Sequence, residues 1–279
     1  MEAPNARTPV FVLSAERSGS TLLRYMLDSH PDLGSPGELV LGEACAVLMR
    51  IHRRLLNGDK FPRVSELEYE VCRKVRSIID GLMEEYLSRI RKKIWCDKSP
   101  ANVGYIDDIM GIFPDAKFVC LYRDCLDTVA SSIDAGRYGY MVEQQAYVLH
   151  NPGTFVKAMI ENWADKTERI IQAERSSALA VRVRYEDIVG YPDRALKPII
   201  SFLGLDWSDR VITEVFTANH YVGGGDTKIR SKTTIHTDSV GLGRTLALSQ
   251  VPANLVVRAN SLQRQLGYEP INKPREQFH

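Results

Sequence analysis

A few short stretches carry side chains whose types and spacing suit anion binding and proton transfer. The first is Ser14-Ala-Glu-Arg-Ser-Gly-Ser-Thr21. Gly19 permits close backbone approach, and Ser18, Ser20 and Thr21 add hydroxyl donors. Arg17 adds a planar fork of N–H groups that matches phosphate or sulfate oxygens. Residues 9–13 (PVFVL) before it read as a buried strand, and residues 22–29 after it have helical character. The stretch is therefore the first strand-to-helix turn of an α/β sheet. There, unpaired N–H groups and the positive end of the helix dipole collect anions. Set against the nucleotide phosphate loop G-x-x-x-x-G-K-S/T, Ser14 stands at the first glycine, Gly19 at the second, Ser20 at the lysine, and Thr21 fits. The missing lysine would have reached β- and γ-phosphates. Its absence argues against an ATP or GTP hydrolase and for a donor with a different phosphate chain. The alternative is an ordinary Ser/Gly turn capping a helix.

Further candidates sit at the ends of later strands. Residues 117–122 (KFVCLY) read as a strand that runs into Arg123, at the carboxyl edge where ligands gather. Ser131 follows eight residues on, about two turns along a helix expected over 124–135. Arg123 as an ion-pair partner of Asp124 or Asp127 is the alternative. Residues 94–97 (IWCD) form another strand, which Lys98 closes, with Ser99 beside it; a surface lysine is the alternative. Tyr185 ends the strand of residues 178–183 in VRYED, as a ligand contact or a packing tyrosine. Among carboxylates, Glu38 lies in the turn Ser35-Pro-Gly-Glu38 after the loop helix, and Glu43 about one helical turn on. Either is a candidate base if burial or neighbours move its pKa toward neutrality. A solvated loop carboxylate is the alternative for Glu38. His30, ahead of Pro31 at a helix end, reads as structural.

The elements that must position these groups alternate. Helices are expected over 39–56, 64–93, 101–113, 155–175 and 194–203, between the strands above. Such alternation implies a parallel sheet covered on both faces. Residues 221–246 are rich in Gly, Thr, Ser and basic side chains and read as a long functional loop.

Composition narrows the classes. The 279 residues are 44% hydrophobic and 25% charged, an ordinary globular balance. A net charge of +1 gives no global pull toward nucleic acid or a membrane surface, so any anion site is local. The five cysteines include no CxxC pair, and no metal-ligand spacing occurs. No apolar stretch approaches the roughly 18 residues of a membrane span. MEAPNARTP lacks the pattern of a secretory leader, so a cytoplasmic setting is expected.

The strings ERSGSTLLRYMLDSHPDL, YRDCLDTVASSI and VRYEDIV, in that order over roughly residues 10–205, resemble the PAPS-dependent sulfotransferase family. The likeness is to the branch of tyrosylprotein sulfotransferases and bacterial natural-product sulfotransferases. It implies a P-loop-NTPase-like three-layer α/β fold with a central parallel sheet, as one domain over 1–279. A helical acceptor-side insertion at 39–93 and a donor-covering loop at 221–246 would belong to it. The implied cosubstrate is 3′-phosphoadenosine 5′-phosphosulfate (PAPS), with no metal. By matching positions, Arg17, Ser18, Gly19, Ser20 and Thr21 would hold the 5′-phosphosulfate, Arg17 also serving catalysis. Arg123 and Ser131 would hold the 3′-phosphate and Tyr185 the adenosine. Glu38 would be the base, and Lys98 would neutralise the departing phosphate. The last donor contact would come from Lys228, Arg230, Lys232 or Arg244, of which Arg244 is chosen; the RKG triplet of the cytosolic branch is absent. Its dimer motif is absent too, which leaves the oligomeric state open. The implied acceptor is a small-molecule or carrier-bound alcohol of bacterial natural-product biosynthesis. Alternatives are a protein tyrosine, or a P-loop-type phosphotransferase or nucleotide-binding protein.

Overall fold

The computed structural model describes residues 8–56, 64–137, 139, 142–220, 229 and 232–272. Five strands make one parallel sheet: β1 (Val10–Ser14), β2 (Leu33–Gly34), β3 (Ile94–Lys98), β4 (Lys117–Tyr122) and β5 (Ala180–Arg184), in the order β2-β3-β1-β4-β5. β1 is central because every one of its residues is buried; VFVLS has no polar face to turn to water. Its register aligns Val12 with Lys98 on one side and Ser14 with Leu121 on the other. After β1 the chain builds β2 and β3 on one side, then crosses to β4 and β5 on the other. Such a switch point opens a crevice at the carboxyl ends of the strands.

Alternate residues feed two separate cores, as the two-residue strand period requires. Phe11, Leu13, Trp95, Phe118 and Cys120 face one layer, where Phe11 meets the Trp95 ring edge-on at 5.4 Å. That layer holds α2 (Leu41–Leu56), α3 (Val64–Ile90), α4 (Ile106–Ile112), α5 (Cys125–Gly136), α7 (Phe155–Ser176) and α11 (Ala253–Gln265). Val10, Val12, Cys96, Val119 and Val183 face the other, against α1 (Ser20–Asp28), α8 (Tyr185–Gly190), α9 (Pro192–Leu203) and α10 (Arg210–Thr213). The result is the expected three-layer arrangement.

Five elements go beyond the sequence reading. β2 is only two residues long, too short for a period to register. The others are α6 (Val142–His150), α8, α10 and α11. Tyr185 consequently opens α8 instead of ending a strand. Residues 100–105 begin as a 3-10 turn before α4, because Pro100 holds the first turn tight. Of the long loop, the described part contains a 3-10 turn at Leu242–Thr245. Lys228 and Arg230 lie outside the described residues.

Candidate active site

The turn between β1 and α1 is shaped by two left-handed residues, Arg17 at φ 63° and Gly19 at φ 86°. Gly19 is also required by space. A β-carbon there would lie 2.2 Å from Cδ2 of Tyr185. Ser18, Ser20 and Thr21 are all largely buried at the head of α1. Arg17 reaches across the crevice, its Nε donating to the Ser131 hydroxyl at 3.4 Å.

Arg123 lies under this loop. Its Nη1 donates to the carbonyl of Arg17 at 2.9 Å and its Nη2 to the carbonyl of Ser239 at 2.6 Å. The guanidinium sits 4.4 Å from the centre of the Tyr185 ring, a cation–π contact. The Tyr185 hydroxyl pairs with that of Ser239 at 2.6 Å. Arg123 Nε is buried without a hydrogen-bond partner among the described residues. Sequence reasoning missed Ser239 and the clamp that delivers it. The N–H groups of Gly241 and Gly243 donate to the Asp127 carboxylate at 2.6 and 2.8 Å. Gly243 is obligatory there, since a β-carbon would fall 2.2 Å from the Leu126 backbone. The G-x-G spacing in Gly241-Leu-Gly243 was the signal available for it.

Glu38 stands on the opposite wall, in a turn fixed from several sides. The Arg24 guanidinium donates to the carbonyls of Ser35 and Pro36, both at 3.1 Å. Asp28 accepts from the Ser35 N–H at 2.8 Å, and the Ser35 hydroxyl donates to the Cys96 carbonyl at 2.9 Å. Beyond Glu38, the Val40 N–H donates to Ser99 Oγ at 2.9 Å and the Leu41 N–H to Asp97 at 3.1 Å. Val40 is held at φ 51°, an unfavourable region for a β-branched residue. The strain sits two residues from Glu38. Burial pushes the Asp97 carboxyl up, against the hydrogen bonds from Asn102, Ser99 and Leu41. An arginine within the apolar run LLRYML was the only sequence sign of Arg24's clamp.

Lys98 is fully buried and forms an ion pair with Glu38. Burial lowers the Lys98 pKa from its ordinary value, and the Glu38 charge opposes that fall. A lysine that gives up its proton more readily, held against a carboxylate, is a proton-handling pair of the kind found at reacting centres.

These groups meet in one cleft of about 870 Å³. Its walls include Arg17, Gly19, Ser20, Thr21, Glu38, Arg123, Ser131 and Tyr185. Ser18 and Lys98 lie behind the wall, Lys98 reaching the cleft through Glu38. Two placements differ from expectation. Arg244 is exposed, its guanidinium folded back against Gly241, and it does not line the cleft; Lys232 and His236 of the same segment do. Glu43 is exposed on α2 and also absent from the walls, as are the described residues of 39–93. α2 and α3 pack instead on each other and on α4, the buried stripe of α3 running Val71, Val75, Ile79, Met83 and Leu87. The wall near Glu38 comes from Pro100, and the far wall from α5 and α6 through Ala130, Asp134, Val142 and Gln144. His30 is structural: it bridges the Asp206 carbonyl at 2.8 Å and the Asp32 N–H at 3.1 Å. Among the described residues no group of three His, Cys, Asp or Glu side chains is placed to hold a metal, and no helix is long and apolar enough to cross a membrane.

Comparison with known proteins places this geometry among relatives. A family model described as "Sulfotransferase family" matches residues 9–209. The chain is 25% identical over 210 residues to protein-tyrosine sulfotransferase 1 of Danio rerio, covering 73% of this chain and 55% of that protein. It is 25% identical over 274 residues to nodulation protein NoeE of Sinorhizobium fredii, covering 93% of this chain and 65% of that one. The chain thus spans about half to two thirds of the length of these relatives. Among solved structures, the sulfotransferase domain from the Synechococcus PCC 7002 olefin synthase superposes with a TM-score of 0.64 at 24% identity, covering 95% of this chain and 98% of that domain. The sulfotransferase domain from the curacin biosynthetic pathway gives a TM-score of 0.64 at 21% identity, covering 94% and 98%. The shared architecture is the P-loop-NTPase-like α/β fold.

Proposed function

This chain belongs to the sulfotransferase family, and from that premise we propose that it transfers a sulfuryl group from PAPS to the hydroxyl of a small-molecule or carrier-bound acceptor, without a metal. One observation carries the reading. The Arg17–Thr21 loop, Arg123 with Ser131, and Glu38 with Lys98 behind it converge on a single cleft at the carboxyl edge of the sheet.

The residues fit such a donor. The loop offers backbone N–H groups and hydroxyls at the head of α1 where a phosphate loop would use a lysine as well. Arg123 Nε is buried with no hydrogen-bond partner among the described residues. In this reading Arg17 to Thr21 hold the 5′-phosphosulfate, Arg123 and Ser131 the 3′-phosphate, and Tyr185 the adenosine side. Lys232, which lines the cleft, replaces Arg244 as the candidate from the last segment. The bound donor supplies an electrophilic sulfuryl group and a phosphate leaving oxygen. Glu38, with Oε1 held by Lys98, uses Oε2 to take the proton from the acceptor hydroxyl. Lys98, behind the wall, holds Glu38 in place and adds its charge to the field at the oxygen that departs. Preorganised cations and helix N–H groups stabilise developing charge without reorganising.

The likeness over 94–95% of the chain to the sulfotransferase domains from the olefin synthase and the curacin pathway supports a carrier-bound or small alcohol. The likeness to tyrosine sulfotransferases favours a second reading, a peptide tyrosine acceptor. Two measurements test the proposal. 3′-Phosphoadenosine 5′-phosphate at 100 times its Kd is expected to stabilise the protein by about 2.7 kcal/mol, and ATP with magnesium is not. Radiolabelled PAPS with hydroxy-acyl carriers, small alcohols and acidic tyrosine peptides then decides the acceptor. Stabilisation by ATP-magnesium alone overturns the donor assignment.

A further inference from the structure

The phosphate loop contains a carboxylate that anion binding does not call for. Glu16 lies between Ala15 and Arg17 and is fully buried. Left uncompensated, a negative charge there opposes the one the loop would receive. Its partners among the described residues come from α7, which contributes no residue to the cleft wall. Asn162 Nδ2 donates to Glu16 Oε2 at 2.9 Å, and Lys166 Nζ lies 3.2 Å from Glu16 Oε1. The same Lys166 ammonium donates to the carbonyl of Pro100 at 3.3 Å, two residues after Lys98. Trp163, between them on the helix, donates its indole N–H to the carbonyl of Arg123 at 3.2 Å. One helix face thus touches the backs of three site elements: the loop, the Arg123 strand end and the turn following Lys98.

We infer that Lys166 is a positioning residue that holds the phosphate loop in register with the Lys98–Pro100 strand end, acting through Glu16. The inference rests on the proposed donor site and adds a coupling within it. A donor bound to the loop moves with the loop, whereas Lys98 and Glu38 belong to the other wall. The shared Lys166 ammonium bridges the two: one ion pair to the loop and one hydrogen bond to the strand end. Neutralising Glu16 is its second effect, so the loop's N–H field faces the cleft uncancelled. A buried pair of this kind adds little net stability over an apolar pair, and fixing one geometry is the better reason for it here.

Amide hydrogen exchange on the full chain tests this without depending on turnover. In the wild type, 3′-phosphoadenosine 5′-phosphate is expected to slow exchange at residues 14–20 and, through Lys166, at residues 101–105. In Lys166→Met, exchange without ligand rises about tenfold at both segments while β4 is unchanged, as for a local opening. The ligand then protects residues 14–20 only, and Lys166→Arg restores protection at 101–105. If Lys166→Met folds poorly because Glu16 is stranded, Glu16→Gln with Lys166→Met removes both charges and is expected to fold yet still lack the coupling. Protection at 101–105 that survives in either variant overturns the inference, as does a rise in exchange spread evenly over the sheet. A wild type that fails to bind the ligand overturns the donor reading instead, and the ligand-free comparison still decides the role of Lys166.

Discussion

Gly19→Ala puts the close approach of the Arg17–Thr21 loop and Tyr185 to a quantitative test. Two costs are separable. At φ 86° the new side chain meets the left-handed penalty, about 1–2 kcal/mol. Its β-carbon would also stand 2.2 Å from Tyr185 Cδ2 and 2.5 Å from Cε2. The ring cannot retreat freely, since its hydroxyl is bonded to Ser239 and its face lies against Arg123. Overpacking of this kind costs about 1–3 kcal/mol. The single variant is therefore expected to lose about 2–5 kcal/mol in total. In a Tyr185→Ala background only the backbone part remains, so the double-mutant cycle should return a coupling of about 1–3 kcal/mol. Urea titration of the four proteins measures it, provided the m-value stays constant. Calorimetry with 3′-phosphoadenosine 5′-phosphate should show weaker binding in Gly19→Ala, because displacing the ring disturbs Arg123. Additivity within about 0.5 kcal/mol would refute the packing argument.

Other outcomes follow from the same geometry. Glu38→Gln is expected to cut turnover by about 10²–10⁴-fold with donor affinity retained, the span for loss of a general base. Glu43→Gln, on the exposed face of α2, should change neither quantity, and the reverse pattern would move the base assignment. Arg123→Ala should weaken 3′-phosphoadenosine 5′-phosphate by about 1.5–3 kcal/mol, the range for a hydrogen bond to a charge. Adenosine 5′-phosphosulfate, which lacks the 3′-phosphate, should be barely affected; equal losses would place Arg123 elsewhere on the donor. Burial raises the Asp28 carboxyl, but His220, Lys92 and the Ser35 N–H outweigh it, leaving it below its ordinary value of 3.8. A depressed carboxylate stabilises above its unfolded pKa and loses that contribution as pH falls through the folded one. Asp28→Asn should therefore be less stable than the wild type at neutral pH, with the gap closing below pH 3.8 in acid-denaturation curves.

Much of this protein follows from local pattern. The run VFVLS, the turn with Arg17 and Gly19, and the helix after it are contiguous, so composition and punctuation alone announce a strand, a tight turn and a helix N-terminus. The strand ends carrying Lys98 and Arg123 were readable for the same reason: a short apolar run followed by a cation. Elements without a strong period escaped. β2 is two residues long, and Tyr185 could be read as the last residue of a strand or the first of a helix, because its neighbours suit both.

What tertiary structure decided is which of the eligible polar groups face the cleft. Glu38 and Glu43 have similar credentials along the chain, yet the clamp from Arg24, Asp28, Asp97 and Ser99 turns one toward Lys98 and leaves the other in solvent. Arg244 was the attractive cation of its segment. Two glycine N–H groups bound to Asp127 dock that turn so that its guanidinium folds outward, while Lys232 lines the cleft. Lys166 meets Glu16 across 150 positions of chain, a pairing that no periodicity can signal. Sequence patterns report what each residue needs from its neighbours a few positions away. The charge partners of a buried group are chosen by the packing of distant elements, and only the folded chain brings them within hydrogen-bond reach.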